Sequence, residues 1–338
     1  MRISTLVALA RSGRLGALLG ARRLLTAFQR FCFLGSASSA GLLRALGAGP
    51  RSFAVLAGEL APHPDQHDAL RDWLQIGVDV GELRREGDAY ALAGRLATRL
   101  ASPQHDALAA FVEEAVGLHH RVVWEAPRRM REGRRFHLAD QDGEVIARSS
   151  RLLEPVVGEA VDRIVPAEGA VRLLEIGCGS GVYVQRAAAR NPRLVATALE
   201  LQPDVAALAR RNLAAWGLSD RVAVEDVDVR RKAPQAVFDL ATLHNNIYYF
   251  PVVERVALLA HVRRFLVPGG RLLLTTGCTG GTATMSTLSL WGALTDGCGR
   301  LPAPAELEAQ LREAGFTGVE SRSLVPGESY FAFVATSA

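Results

Sequence analysis

The sequence contains only four cysteines and a single lysine, and its first 58 residues contain no acidic residue. Cys32, Cys178, Cys278 and Cys298 include no CxxC pair and lie at no metal-ligand spacing with histidine. We therefore expect neither a disulfide framework nor a metal site, and we expect a reduced, cytoplasmic protein. With 49% hydrophobic residues in 338, the chain has enough apolar side chains for a full core, which excludes a disordered protein.

Net positive charge is confined to the N-terminal segment. Eight of the 39 basic residues lie within residues 1–58, which leaves 31 basic against 35 acidic residues, or a net charge of −4, for the rest. An acidic body argues against a nucleic-acid partner. We interpret residues 1–23 as a basic extension. It is a disordered extension or mis-assigned start, a helix that packs on a partner subunit, or a membrane-surface helix, which is the least favoured.

We find no secretory signal and no membrane span. The first thirty residues interleave arginine with leucine and lack a continuous apolar region followed by a small-residue cleavage site. Residues 272–295 are uncharged, but their four glycines and their threonines and serines predict a strand, a polar loop and a short helix.

The first half of the chain is predicted to be mainly helical. Apolar spacing predicts helices within 24–60 and over 64–77, followed by two short extended runs around the turn Glu86-Gly87-Asp88. Two helices and a small hairpin in this order are typical of a winged helix. A further helix is predicted to begin at Ser102-Pro103.

From about residue 168 strands alternate with helices, which predicts a mostly parallel sheet with helices on both faces. The predicted strands are 170–176, 194–200, 221–227, 238–244, 270–277, 318–324 and 330–336. The fold class is therefore α/β, a Rossmann-like seven-stranded sheet preceded by a winged-helix-like domain. Ligands of such sheets bind at the carboxyl ends of the strands.

A glycine turn follows the first of these strands, in the sequence Glu175-Ile176-Gly177-Cys178-Gly179-Ser180-Gly181. Its spacing is GxGxG, and Val182 occupies the place of the third glycine of the dinucleotide fingerprint, which disfavours a dehydrogenase. Two acids follow at strand ends: Glu200, 19 residues after Gly181, and Asp226. A carboxylate at the position of Glu200 can accept hydrogen bonds from both hydroxyls of a ribose.

The pattern E-x-G-x-G-x-G, the two acids and the turn in "LVPGGRLLLTT" together resemble the class I S-adenosylmethionine-dependent methyltransferases. This resemblance covers about residues 168–338. It implies S-adenosylmethionine as the cofactor, with Glu200 at the ribose, Asp226 at the adenine and the asparagines at the methionine end. The implied cofactor-binding residues are Glu175, Gly177, Gly179, Gly181, Glu200, Leu201, Asp226, Val227, Asn245 and Asn246.

Residues 24–165 resemble, more weakly, the N-terminal half of the winged-helix O-methyltransferases of secondary metabolism. The resemblance implies a domain over 24–165 that dimerises and covers the acceptor pocket, and a methyltransferase domain over 166–338. It also implies a homodimer that acts on a small, aromatic or polyketide-like acceptor.

The sequence offers two candidates for the catalytic base. The family has a histidine in an N-x-x-H-D-type motif after the fourth strand, where this chain has "LHNNIYYFP". Aligning Asn246 with the family's asparagine puts Tyr249 at the base position, whereas His244 ends the strand itself. Three alternatives stay open: transfer by proximity alone, an N-, C- or S-acceptor that needs no base, and a non-catalytic cofactor-binding scaffold.

Overall fold

The computed structural model describes residues 5, 8 and 11–338. The predicted basic extension over 1–23 therefore falls partly outside the described residues. The chain divides into two compact units, Met1–Gly117 and Leu118–Ala338.

The first unit is helical, with one small sheet. Its helices are α1 (Arg14–Ser39), α2 (Leu42–Gly47), α3 (Phe53–Leu60), α4 (His67–Asp79), α5 (Arg95–Leu100) and α6 (Asp106–Glu114). The predicted hairpin is confirmed by the antiparallel pairing of β2 (Leu83–Glu86) with β3 (Ala89–Leu92), and β1 (Arg51–Ser52) pairs with the other edge of β3. Gly87 in the hairpin turn has a φ of 62°, which glycine adopts without strain.

The core of the first unit forms around the C-terminal part of α1. Phe33 and Leu34 are buried with Leu74 of α4. Phe33 packs so closely on α4 that a Cβ at Gly77 would lie 2.3 Å from its ring. By contrast, residues 16–31 of α1 are all exposed. The helix begins ten residues before the predicted start at residue 24, and this added length makes no contribution to the core.

The second unit contains the large sheet. Its helices are α7 (His120–Glu132), α8 (Gly143–Ser149), α9 (Glu154–Ile164), α10 (Val182–Arg190), α11 (Pro203–Ala215), α12 (Arg255–Arg263), α13 (Ala283–Ala293) and α14 (Pro304–Glu313). Its strands are β4 (Val171–Ile176), β5 (Leu194–Glu200), β6 (Val222–Asp226), β7 (Phe238–His244), β8 (Leu266–Gly277), β9 (Phe316–Ser323) and β10 (Tyr330–Ser337). All seven predicted strands are confirmed.

The strand order of this sheet is β6-β5-β4-β7-β8-β10-β9, with β10 antiparallel to both of its neighbours. The Rossmann-like, mostly parallel sheet is thus confirmed. One apolar core lies between the sheet and α9, α10 and α11, and the other between the sheet and α12 and α14. Because β5 and β7 flank β4 on opposite sides, the chain leaves β4 at the switch point of the sheet, where a ligand crevice is expected.

Residues 118–165 are grouped with the sheet. Leu118, Val122 and Phe136 are buried in one cluster with Trp291 and Leu301. Our predicted domain boundary at residue 165 follows the family resemblance, and it stays a prediction. Within the part of the chain that the structure describes, no helix has both the length and the apolar character to cross a bilayer. Residues 272–295 form the end of β8, a loop and α13, as predicted.

Candidate active site

The glycine turn bends the backbone sharply at the carboxyl end of β4. Gly177, Gly179 and Gly181 have φ angles of 69°, 56° and 82°, which residues with a side chain rarely adopt. The amides of Gly177 and Cys178 donate to the carbonyl of Leu199, at 2.8 and 2.9 Å. These bonds fix the turn against the end of β5.

Close packing of an asparagine is a second reason for glycine at position 177. A Cβ there would lie 2.6 Å from Nδ2 of Asn246. That amide donates to the carbonyl of Ile176, while Oδ1 of Asn246 is buried and has no hydrogen-bond partner within the described part of the chain. The turn therefore has an acceptor atom that is not in use, Oδ1 of Asn246, beside Gly177, which has no side chain.

Glu200 joins the turn to the end of β5. One carboxylate oxygen accepts from the amides of Leu201 and Gln202, at 2.9 and 3.1 Å, and the other accepts from the amide of Gly179 at 3.0 Å. Burial raises the pKa of the Glu200 carboxyl, and the three amide bonds act in the opposite direction. The carboxylate is thus held in one orientation, and one lone-pair site on Oε2 remains free.

A cavity of about 220 Å³ lies at this edge of the sheet. Its walls come from the glycine turn, the ends of β5 and β7, the segment after β6 and helix α8. Among the predicted site residues, those that line it are Gly177, Gly179, Glu200, Leu201, Val227, His244, Asn245, Asn246 and Tyr249. Glu175, Gly181 and Asp226 are not in its lining.

The acid that lines the cavity after β6 is Asp228 rather than Asp226. Asp226 ends the strand and is exposed, whereas the chain turns beyond it and Asp228 caps the next turn by accepting from the amide of Arg230 at 2.9 Å. Burial opposes ionisation of Asp228, but its bonds to Arg230 outweigh burial and lower its pKa. Asp228 was not predicted from the sequence, although "VEDVDV" contains both acids.

His244 ends β7 and is buried at the cavity wall. Its Nδ1 lies 2.9 Å from Oγ1 of Thr275, and the ring of Tyr183 packs against the imidazole with centroids 4.7 Å apart. Its Nε2 is buried and has no hydrogen-bond partner among the described residues. Burial lowers the pKa of His244 to about 3, so the imidazole is neutral at physiological pH.

Glu175 lies beneath the turn, with one carboxyl oxygen bonded to Oγ1 of Thr242 at 3.0 Å. Its other oxygen is buried and has no hydrogen-bond partner among the residues that the structure describes. Burial raises the pKa of Glu175 to about 8, so this carboxyl is protonated at neutral pH. Its hydrogen bond to Thr242 joins β4 to β7, and Glu175 lies outside the cavity lining.

Aromatic and aliphatic side chains form the wall beyond His244. Tyr248 and Tyr249 lie with ring centroids 5.0 Å apart, and Trp291 meets Tyr249 edge-on at 5.3 Å. Leu138 and Ile146 also line the cavity. No sequence motif marks these two aliphatic residues, so they were not predicted.

Comparison with known proteins agrees with this geometry. Residues 174–272, from the end of β4 into β8, match the family model described as a methyltransferase domain. These residues therefore form a methyltransferase domain. Solved structures that share the fold contain S-adenosylmethionine or S-adenosylhomocysteine.

Relatives and solved structures extend the likeness beyond this methyltransferase domain. Demethylspheroidene O-methyltransferase of Rhodobacter capsulatus is 30% identical over 196 residues, which are 56% of this chain and 48% of that protein. The matched part thus spans about half of that relative's length. Mitomycin 7-O-methyltransferase superposes with a TM-score of 0.77 at 21% identity, covering 96% of this chain and 99% of that one. Human N-acetylserotonin methyltransferase, solved with S-adenosylmethionine, gives 0.72 at 18% identity, covering 96% and 98%. These structural likenesses show a shared fold.

The residues of the methyltransferase domain fit this cofactor. The turn leaves the space that a Cβ at position 177 would fill, and Asn246 Oδ1 is an acceptor still without a donor. Glu200 adds a carboxylate oxygen, Oε2, with one lone-pair site free for a hydroxyl group. A nucleoside with an ammonium group supplies the donors that these atoms lack.

Proposed function

We propose that the protein is a methyltransferase that methylates a hydroxyl group of a small, largely apolar acceptor. The observation that carries this proposal is His244, a neutral imidazole with an unpartnered Nε2 at the cavity that also holds Glu200 and the glycine turn. When bound, S-adenosylmethionine supplies an electrophilic methyl group. A neutral imidazole beside it can accept the proton of an attacking hydroxyl. Two relatives are also O-methyltransferases by name.

The lining of the cavity supports an uncharged acceptor. Tyr248, Tyr249, Leu138 and Ile146 give it an apolar and aromatic wall, which orients a ligand by shape. Arg230 is the one lysine or arginine among the described lining residues, and its guanidinium is already bonded to Asp228 and Glu254. An anionic acceptor would therefore find no free cation there.

We assign the cofactor-holding roles from the atoms that remain available. Glu200 would hold the ribose hydroxyls, and Asn246 Oδ1 would accept from the methionine ammonium. Asp228 replaces Asp226 in our proposal as the acid near the adenine, because only Asp228 lines the cavity. His244 accepts the acceptor's proton, and the apolar wall excludes water.

Calorimetric titration with S-adenosylmethionine and S-adenosylhomocysteine, with NADPH alongside, tests the cofactor part of the proposal. We expect binding of both methionine nucleosides and none of NADPH. Mass spectrometry after incubation with a panel of hydroxylated apolar compounds then tests methyl transfer, and amines, thiols and activated carbons in the same panel test the other acceptor atoms. A folded protein that binds neither methionine nucleoside would contradict the proposal.

The Glu200→Ala variant is expected to bind S-adenosylmethionine at least about tenfold more weakly, since charge-assisted hydrogen bonds contribute about 1.5–3 kcal/mol. Glu200→Gln keeps the size and one acceptor oxygen, so it separates loss of charge from loss of shape. Glu225→Gln, one residue before Asp226 and paired with Lys232, serves as a matched control that leaves affinity unchanged. Unchanged affinity in Glu200→Ala would remove Glu200 from the site.

We also propose a homodimer formed through the exposed part of α1. Leu18 and Leu25 are 59% and 54% exposed. Leu18 and Leu25 are seven residues apart and lie on one helix face. On the other side of the helix, Arg30 pairs with Glu82 of its own unit. Two exposed leucines on one face of a helix are suited to packing against a second copy of the same helix.

Sedimentation of the double variant Leu18→Asp, Leu25→Asp tests this interface. We expect the variant to be monomeric at concentrations where the natural chain is dimeric, because two buried charges at an apolar contact are costly. Ala27→Asp is the control and should leave the dimer intact, because this exposed position follows Leu18 by two and a half helical turns and so lies on the opposite face. A dimer that survives both leucine replacements would move the interface elsewhere.

A further inference from the structure

His244 is backed by a chain of hydrogen bonds that contains no charged group. We infer that Tyr330, Asn245 and Thr275 together hold His244 in the tautomer with its proton on Nδ1. Nε2 of His244, a residue of the cavity lining, then carries a bare lone pair. The consequence for catalysis depends on the proposed function, whereas the tautomer itself can be measured without it.

Three contacts make up the chain. The hydroxyl of Tyr330 donates to Oδ1 of Asn245 at 2.7 Å and also lies 3.3 Å from Oγ1 of Thr275. Oγ1 of Thr275 in turn lies 2.9 Å from Nδ1 of His244. Tyr330, Thr275 and His244 are all buried, so water does not substitute for these bonds.

The chemistry of the groups sets the direction of the chain. An amide oxygen only accepts, so the single proton of Tyr330 is directed to Asn245. The phenolic oxygen of Tyr330 is then an acceptor, and the hydroxyl of Thr275 is the donor within reach of it. With its proton directed there, Thr275 accepts from the imidazole, which requires a proton on Nδ1.

The opposite direction is less favourable on two counts. If Thr275 donated to Nδ1, the oxygen of Tyr330 would lose a donor inside the core. The proton of the imidazole would also move to Nε2, which has no acceptor among the described residues. Buried donors without an acceptor are rarer in proteins than acceptors without a donor.

The backbone holds the three residues in register on three adjacent strands. His244 pairs with Thr275 across β7 and β8, and the amide of Asn245 donates to the carbonyl of Thr275 at 2.8 Å. Asn245 has a φ of 55°, the one positive value for a non-glycine residue among those described. This left-handed conformation is uncommon outside glycine, and asparagine tolerates it better than most residues. In this backbone conformation, Oδ1 of Asn245 accepts from the hydroxyl of Tyr330.

Thr275 and Tyr330 are therefore positioning residues. Neither lines the cavity, and they act on the acceptor only through the imidazole. Because the partner of Nδ1 is a hydroxyl and not a carboxylate, the chain selects the tautomer and orients the ring without placing a negative charge beside it. A change in the chain should thus alter turnover while leaving cofactor binding intact.

The first experiment is nuclear magnetic resonance of the imidazole nitrogens in protein labelled with ¹⁵N-histidine, at neutral pH and without ligands. The His244 signals are assigned by their loss in His244→Gln. We expect a protonated Nδ1 and an unprotonated Nε2. A proton on Nε2 would overturn the inference, whatever the protein's activity. The tautomer measured in this way does not depend on whether the proposed function is correct.

The second experiment compares three variants. Thr275→Val removes the hydroxyl at nearly constant shape and should lower kcat at least about tenfold, with KM for S-adenosylmethionine unchanged, because the tautomer is no longer fixed. Thr275→Ser keeps the hydroxyl and should restore both kcat and the nitrogen signals. Thr276→Val is the matched control, since the buried hydroxyl of Thr276 bonds to the carbonyl of Gly277 instead. Equal kcat in Thr275→Val and Thr276→Val would overturn the role of Thr275.

Discussion

Replacing His244 with glutamine is expected to lower kcat about 100-fold, the lower end of the usual contribution of a positioned general base, because burial makes this imidazole a weaker base. The Kd of S-adenosylmethionine should stay within about threefold, because our proposal gives the imidazole a role toward the acceptor only. Glutamine retains polar atoms but does not accept a proton at neutral pH. The measurements are steady-state kinetics on an acceptor found by screening and calorimetry on the same preparation.

The pH dependence of kcat/KM provides a further check on the role of His244. An ordinary histidine, with a pKa near 6.5, would lose its function as a base on acidification through that value. Since burial lowers the pKa of His244 to about 3, this residue should cause no loss between pH 8 and pH 5. Tyr249→Phe is the matched variant for the other candidate base. A large loss of kcat in Tyr249→Phe, with full activity in His244→Gln, would reverse the assignment.

The sheet was predictable because each of its strands is an apolar run bounded by turns. β5 and β7 have the predicted ends, and β8 begins at Leu266, four residues before the prediction. Its early start depends on tertiary pairing, because Leu266 pairs with Phe238 although a proline and two glycines follow it. The start of α1 was missed because its exposed first half faces no core that would impose a pattern.

The part of the site at strand ends was predictable for a topological reason. In a parallel sheet the carboxyl ends of neighbouring strands meet at one edge, so the glycine turn, Glu200 and His244 had to lie near one another. The place of Asp228 in the cavity lining depends on how the chain turns after β6. The alternation of apolar and polar residues along a strand does not predict that turn. The contact of Tyr330 with Thr275 depends on the register of an antiparallel strand far along the chain, and the sequence contains no motif for that register.

Replacing Glu175 with glutamine is expected to stabilise the fold relative to the natural chain increasingly as pH rises. Burial raises the pKa of Glu175 from 4.5 to about 8, so the folded state keeps a proton that the unfolded state has released. The unfolded state thus binds fewer protons between these values. The stability of the natural chain is complete below the unfolded pKa and declines as pH rises towards 8. Glutamine has no proton to lose and still offers Thr242 an acceptor.

The difference in free energy of unfolding between Glu175→Gln and the natural chain should increase by about 3 kcal/mol from pH 5 to pH 8, measured by urea denaturation at each pH. Asp239→Asn is the control. Its carboxylate is bonded to Arg172, which lowers the pKa of Asp239, so this group is ionised in both states over the same range. Its difference from the natural chain should therefore be independent of pH. A pH-independent difference for Glu175→Gln as well would mean that the carboxyl beneath the glycine turn is already ionised at pH 5.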